Sequence, residues 1–235
     1  MNVYLNKIHK SLISIIIGVL ISFNVNACFA QETDYYKAKE TYRKLWYTIE
    51  LGGIPEYYEP DDEELSQMFD RRVGILFVFK VMGYEEDFNC MDKEEVKLIL
   101  SKFKDENEIP DWARHAIAFG VKNKIICGMS ADRIGIKESF TGKMFSAIAL
   151  NALGYKINSE EYKRGCSILA EKGGLSIDQA LELNEKKLNR AEAIEMAYAL
   201  LKAKGTDNKI LIERLIEERK ADKEKANEFG LIEAE

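Results

Sequence analysis

Phe103 to Tyr155 reads FKDENEIPDWARHAIAFGVKNKIICGMSADRIGIKESFTGKMFSAIALNALGY. Trp112, Ala113, Ala116, Ile117, Gly120 and Val121 share one face at helical spacing, and Asn123-Lys124 supplies a stop. Ile125-Ile126 follows, and Gly128 with Ser130-Ala131-Asp132 turns the chain. Thr141 stands where an N-cap hydroxyl accepts from the free N–H groups of a second helix, which carries Phe145, Ile148, Ala149, Ala152 and Leu153. Gly154 closes that helix, since glycine enters the left-handed conformation without penalty. The unit is helix, turn-rich loop, helix, and one copy has too little apolar surface for a core of its own.

Two weaker copies flank it. First helices end at Gly52-Gly53-Ile54, Asn123-Lys124-Ile125 and Gly173-Gly174-Leu175. The step from Gly53 to Asp70 and from Lys124 to Thr141 is 17 positions, and from Gly174 to Asn189 it is 15. Asp70, Thr141 and Asn189 are all good N-cap types. From Asp70 to Gly83 and from Thr141 to Gly154 is 13 positions, giving the paired endings Met82-Gly83-Tyr84 and Leu153-Gly154-Tyr155. Asn189 to Leu201 repeats the apolar pattern, opened by an Asn189/Glu192 capping box.

Outside the repeats the chain reads as follows. Residues 1–30 have the pattern of a secretory signal peptide: Lys7 and Lys10, then the apolar run Leu12 to Phe23, then small residues up to Ala30, with cleavage after Ala30. Val25-Asn26-Ala27-Cys28 partly resembles a lipobox, which would put a lipid on Cys28, and a retained N-terminal anchor is a third reading; only these two put the chain on a membrane. Tyr35, Tyr42, Leu45, Trp46 and Ile49 form an amphipathic helix, and Tyr57 and Tyr58 follow in the loop. Thr206 to Glu235 alternates charges around Ile210, Leu211, Leu215 and Ile216, which predicts a charged C-terminal helix.

Composition narrows the function. The net charge is −6, with no basic stripe for nucleic-acid phosphates. Beyond the signal, Cys90, Cys127 and Cys166 are odd in number and lack CxxC spacing, and His115 is the only histidine. That is too few convergent ligands for a zinc site, and no cofactor is expected. The thiols read as small buried residues rather than a disulfide with one left over. No nucleophile–base pair or carboxylate pair stands out, so no enzyme is expected.

Phe103, Asp105, Pro110, Trp112-Ala113, Ile117, Ile126, Gly128, Thr141, Phe145 and Leu153-Gly154-Tyr155 resemble the S-layer homology (SLH) repeat. Asp70-Arg71 through Gly74 to Met82-Gly83-Tyr84, and Leu188-Asn189-Arg190-Ala191-Glu192, resemble the second-helix motif of that family's first and third repeats. The resemblance runs from about residue 35 to 204. It divides the mature chain into repeats at 31–86, 87–157 and 158–205, with the charged helix at 206–235. What it implies is an all-α fold: three helix-loop-helix repeats closed as one pseudo-threefold helical prism, plus the C-terminal helix. It further implies export to the bacterial cell surface and non-covalent binding to anionic, often pyruvylated, cell-wall polysaccharide in grooves between repeats. Residue by residue, the family's site falls on Arg71 and Arg190 after their caps, on Asp105 and Trp112, and on Gly128. At the second groove it falls on Thr141, Gly142 and Lys143.

The arginines carry a physical argument of their own. A helix N-terminus favours an anion, so a cation at its first position costs a few tenths of a kcal/mol. An Arg recurring there implies either an acidic partner within the fold or an anionic ligand. The second repeat departs from the pattern: Gly142 stands where its arginine would be, Met144 replaces the capping-box Glu, and Lys143 is the nearest substitute. The alternative is therefore an SLH-fold protein that has lost the polysaccharide and contacts another surface protein through its C-terminal helix.

Overall fold

The computed structural model of the chain describes residues 35–49 and 59–232. The signal peptide, the lipobox at Cys28, the Gly52-Gly53 helix end and the Tyr57-Tyr58 loop lie outside these residues. The chain divides into two units, Met1–Lys37 and Ala38–Glu235, and the second carries everything below except the first three residues of the first helix. Its regular structure is helical; among the described residues there are isolated β-bridges but no strand. No described helix is long and apolar enough to cross a membrane.

The three second helices form where their caps predict. They are α3 (Arg71–Val81), α7 (Gly142–Ala152) and α11 (Arg190–Leu200), each of 11 residues. Asp70 Oδ1 accepts from the Arg72 and Val73 amides at 2.9 and 3.1 Å, and Thr141 Oγ1 accepts from the Met144 amide at 3.4 Å. Asn189 and Glu192 bond each other's amides reciprocally, both at 2.9 Å. Each such cap stabilises its helix by about 1 kcal/mol over alanine. At the far ends Gly83 and Gly154 take φ of +77° and +96°. The Tyr84 and Tyr155 amides then reach back to the carbonyls of Phe79 and Leu150, at 2.9 and 3.0 Å, satisfying carbonyls the last turn leaves free.

The extended residues before the three caps interlock. Phe69 N–H donates to Leu188 C=O at 3.0 Å, Leu188 N–H to Phe140 C=O at 2.8 Å, and Phe140 N–H to Phe69 C=O at 3.1 Å, so the ring closes on itself. A second ring runs outside it: Arg71 N–H to Glu138 C=O (2.9 Å), Gly142 N–H to Lys186 C=O (3.1 Å), Arg190 N–H to Gln67 C=O (3.0 Å). Buried backbone groups must be paired, and here each segment bonds both of the other two. Phe69, Phe140 and Leu188, whose backbones make the inner ring, are buried.

The first helices pack cyclically on the second. Helix α6 (Asp111–Lys122) lies on α3, and α9 (Gly165–Glu171) lies on α7. Helix α1 (residues 35–49) joins α11 through Thr41, whose hydroxyl donates to Glu195 Oε1 at 2.5 Å. Phe79, Phe140 and Phe145 are fully enclosed between these layers, and Phe79 meets Phe119 edge to face at 5.7 Å. On α6 the expected apolar face is buried at Ala113, Ala116, Ile117 and Gly120, whereas Trp112 is 54% exposed. Short helices fill the connections: α2 (Asp62–Ser66), α4 (Glu85–Asn89), α5 (Lys93–Leu100), α8 (Ser159–Lys163) and α10 (Ile177–Leu183).

The tail, read as one charged helix that could pack on the first repeat, does meet that repeat at Thr48 but is not a single helix. It forms two, α12 (Leu211–Glu217) and α13 (Lys223–Glu228), broken at Arg219, which has φ of +59°. Leu211, Ile212, Leu215, Ala226 and Leu231 are all buried. The Ile212 amide donates to Leu201 C=O at 2.9 Å and the Asp222 amide to Thr48 C=O at 2.8 Å. The cysteines also need correction: Cys166 is buried, but Cys90 and Cys127 are exposed, and all three are free thiols.

Candidate functional site

Helix α3 begins at Arg71, and the ring turns that position inward. Its side chain is 6% exposed, whereas Arg72, one residue on, turns outward to pair with Asp70. The Arg71 guanidinium donates Nη2–H to Cys127 C=O at 2.5 Å and Nη1–H to the Met129 thioether sulfur at 2.9 Å. Its Nε–H is buried with no partner. Among the described residues no carboxylate lies within ion-pair distance. Burial draws the Arg71 pKa down from its ordinary value, partly countered by the fields of Tyr162, Cys127, Glu138 and Asp105. Arginine nonetheless stays protonated in proteins, so a near-permanent charge sits enclosed and only partly bonded.

This group opens on a cavity of about 510 Å³. Gly128 and Met129 of the loop after α6 form one wall and Met144, Ala147, Ile148 and Asn151 of α7 another; Asn158, the cap of α8, and Tyr162 within that helix close a third. Asn151 is itself fixed, its Nδ2 donating to Ile125 C=O and its Oδ1 accepting from the Ile157 amide, both at 3.0 Å. Gly128 permits the tight loop: a Cβ there would stand 2.6 Å from Ser130 O and 2.4 Å from Arg133 O.

Of the residues singled out in the sequence, Arg71 and Gly128 line this cavity, and Lys143 reaches its wall through Tyr162, whose ring lies 5.7 Å from Nζ. Asp105, Trp112, Arg190, Thr141 and Gly142 do not line it. Asp105 is 4% exposed, and its two carboxylate oxygens accept from the amides of Ile134 and Gly135 at 3.0 and 2.7 Å. Burial alone would raise its pKa; the Gly135 and Ile134 amides outweigh that and hold it below the usual aspartate value. Arg190 opens α11 half-buried, with no ion pair among the described residues.

The start of α7 explains the glycine that replaces its arginine. A Cβ on Gly142 would meet Leu183 O at 2.1 Å, because the loop after α10 lies directly over this helix end. The Lys143 amide donates to Asn184 C=O at 2.9 Å. Backbone carbonyls thus take the place an anion would hold, and Lys143 is itself ion-paired with Glu185. Sequence reasoning missed Met129, Asn151 and Tyr162 as cavity residues. Tyr162 marked only the start of the third copy, and nothing local distinguishes a tyrosine facing a cavity from one facing a helix.

Among the described residues no group of three or more His, Cys, Asp and Glu is disposed to hold a metal ion. Comparison with protein-family models, with curated proteins and with solved structures finds no match for this chain.

Proposed function

We propose that the chain is an exported, non-catalytic module of the SLH type that holds a carboxylate-bearing polysaccharide of a bacterial cell wall at Arg71. The two closed rings of backbone bonds and the cyclic packing of α6 on α3, α9 on α7 and α1 on α11 support the pseudo-threefold prism in this reading. One observation carries the binding claim. Arg71 is enclosed at the end of a cavity, without a carboxylate partner among the described residues and with its Nε–H unbonded. A protein retains such a group at a cost in desolvation, and an anionic ligand supplies the missing partner.

A second reading has one observation in its favour. At the start of α7 the chain's own carbonyls fill the anion position, as in a repeat that has ceased to bind. In that reading the fold serves protein contacts, although the apolar side of the C-terminal segment faces the core.

The test is co-sedimentation of the protein with native wall sacculi, beside sacculi stripped of their anionic polymer. Arg71→Ala is expected to weaken binding about 30-fold or more, the scale of removing one partner from a buried charge pair. Arg190→Ala serves as the comparison. Equal sedimentation with stripped and unstripped walls would exclude the carboxylate reading.

A further inference from the structure

A carboxylate offers about four lone-pair positions, and Arg71 alone does not fill them. Its Nη2 gives one N–H to Cys127 C=O and its Nη1 one to the Met129 sulfur, which leaves three of its five N–H groups for a ligand. The cavity holds a second open donor. Among the described residues the Tyr162 hydroxyl has no hydrogen-bond partner, and its side chain lines the same space as the Arg71 guanidinium.

The tyrosine ring is met by a chain of contacts that also seats the 183–186 loop on α7 and α9. Lys143 Nζ lies over the ring at 5.7 Å and is ion-paired with Glu185. Glu185 Oε1 accepts from Asn184 Nδ2 at 3.0 Å, and the same Nδ2 donates to Lys163 C=O at 2.8 Å, one residue beyond Tyr162. The lysine is therefore anchored at its far end, and its charge fixes the face of the ring. A tyrosine has only two side-chain torsions, so a ring fixed in this way costs little entropy on binding.

We propose that Tyr162 is a second ligand-contacting residue of this site, its O–H completing the donor set around a saccharide carboxylate at Arg71, with Lys143 as its positioning residue. The proposal rests on the anion-binding reading of Arg71. Lys143, the apparent substitute for the missing arginine of the second repeat, then works on the Arg71 cavity by orienting an aromatic ring, without touching the ligand.

The experiment measures depletion binding of the full protein to native sacculi, and to sacculi whose carboxylates have been converted to neutral amides with carbodiimide and ammonia. Tyr162→Phe removes only the hydroxyl and is expected to bind native sacculi about tenfold more weakly at an unchanged melting temperature. Tyr162→Ala should lose more. Lys143→Met should match Tyr162→Phe, and Lys143→Arg, which keeps both the cation–π contact and the ion pair, should restore binding. On amidated sacculi wild type and Tyr162→Phe should bind equally weakly. If Tyr162→Phe stays within twofold of wild type while Arg71→Ala loses binding, the tyrosine has no part and the Arg71 site stands. A Tyr162→Phe loss that persists on amidated sacculi likewise overturns the proposal. Wild type and Arg71→Ala binding native sacculi alike overturns both.

Discussion

Asp105→Ala separates architecture from ligand contact at one of the positions the SLH resemblance marks as a sugar contact. The carboxylate is 4% exposed and takes the amides of Ile134 and Gly135 at 3.0 and 2.7 Å. A hydrogen bond to a charged group contributes about 1.5–3 kcal/mol, so the alanine variant should lose roughly 3–5 kcal/mol. That is a large part of the ~5–15 kcal/mol that holds a typical domain together. Asp105→Asn keeps one acceptor oxygen but turns an NH₂ group toward the other amide, and should lose about half as much. Urea unfolding followed by far-ultraviolet circular dichroism measures both. With a slope of about 2 kcal/mol per molar, the alanine midpoint should fall by roughly 2 M. The aspartate pKa is depressed, so its stabilisation is complete above the unfolded value of about 3.9 and is lost as pH falls through the folded value. Wild type should therefore lose more stability than Asp105→Asn below about pH 4. An alanine variant within 1 kcal/mol of wild type, with binding to sacculi abolished, would refute this reasoning and make Asp105 a ligand contact.

Three further outcomes are expected. Gly142→Ala drives a Cβ to within 2.1 Å of Leu183 O, which is backbone and must shift, so it should cost about 2 kcal/mol or more in thermal unfolding; a cost below about 0.5 kcal/mol would mean the 183–186 loop is not seated on α7. Burial pushes the Cys166 thiol up to about 11, leaving roughly one part in a thousand as thiolate at pH 8; iodoacetamide followed by mass spectrometry should modify Cys90 and Cys127 in the native protein and Cys166 only after denaturation. A chain ending at Lys209 uncovers the core against which Leu211, Ile212, Leu215 and Leu231 are buried; at about 2 kcal/mol each the loss approaches the whole stability of a domain, so circular dichroism should show no cooperative melt.

How far the sequence reached can be followed residue by residue. Asp70, Thr141 and Asn189 cap their helices where read, and Gly83 and Gly154 end two of them in the left-handed conformation. These signals are legible because cap and turn chemistry acts over three or four neighbouring residues. Arg71 and Gly128 were legible as site candidates, and the structure brings them to one cavity. Tyr162 was not, since its place in the cavity beside Lys143 depends on segments distant in the chain. The apolar stripe of the tail was legible at Leu211 and Leu215, but its division into two helices was not, because the break at Arg219 carries no glycine or proline to announce it.

By itself, then, the sequence determined the three second helices and their caps, which are written within a few residues of where they act. Only the tertiary structure decided that Phe69, Phe140 and Leu188 close a ring, that the Leu183 carbonyl demands a glycine at position 142, and that of two arginines at equivalent helix starts one is enclosed without a carboxylate. The physical reason is that backbone pairing between distant segments, close approach and desolvation depend on which surfaces meet, and local pattern carries no record of that.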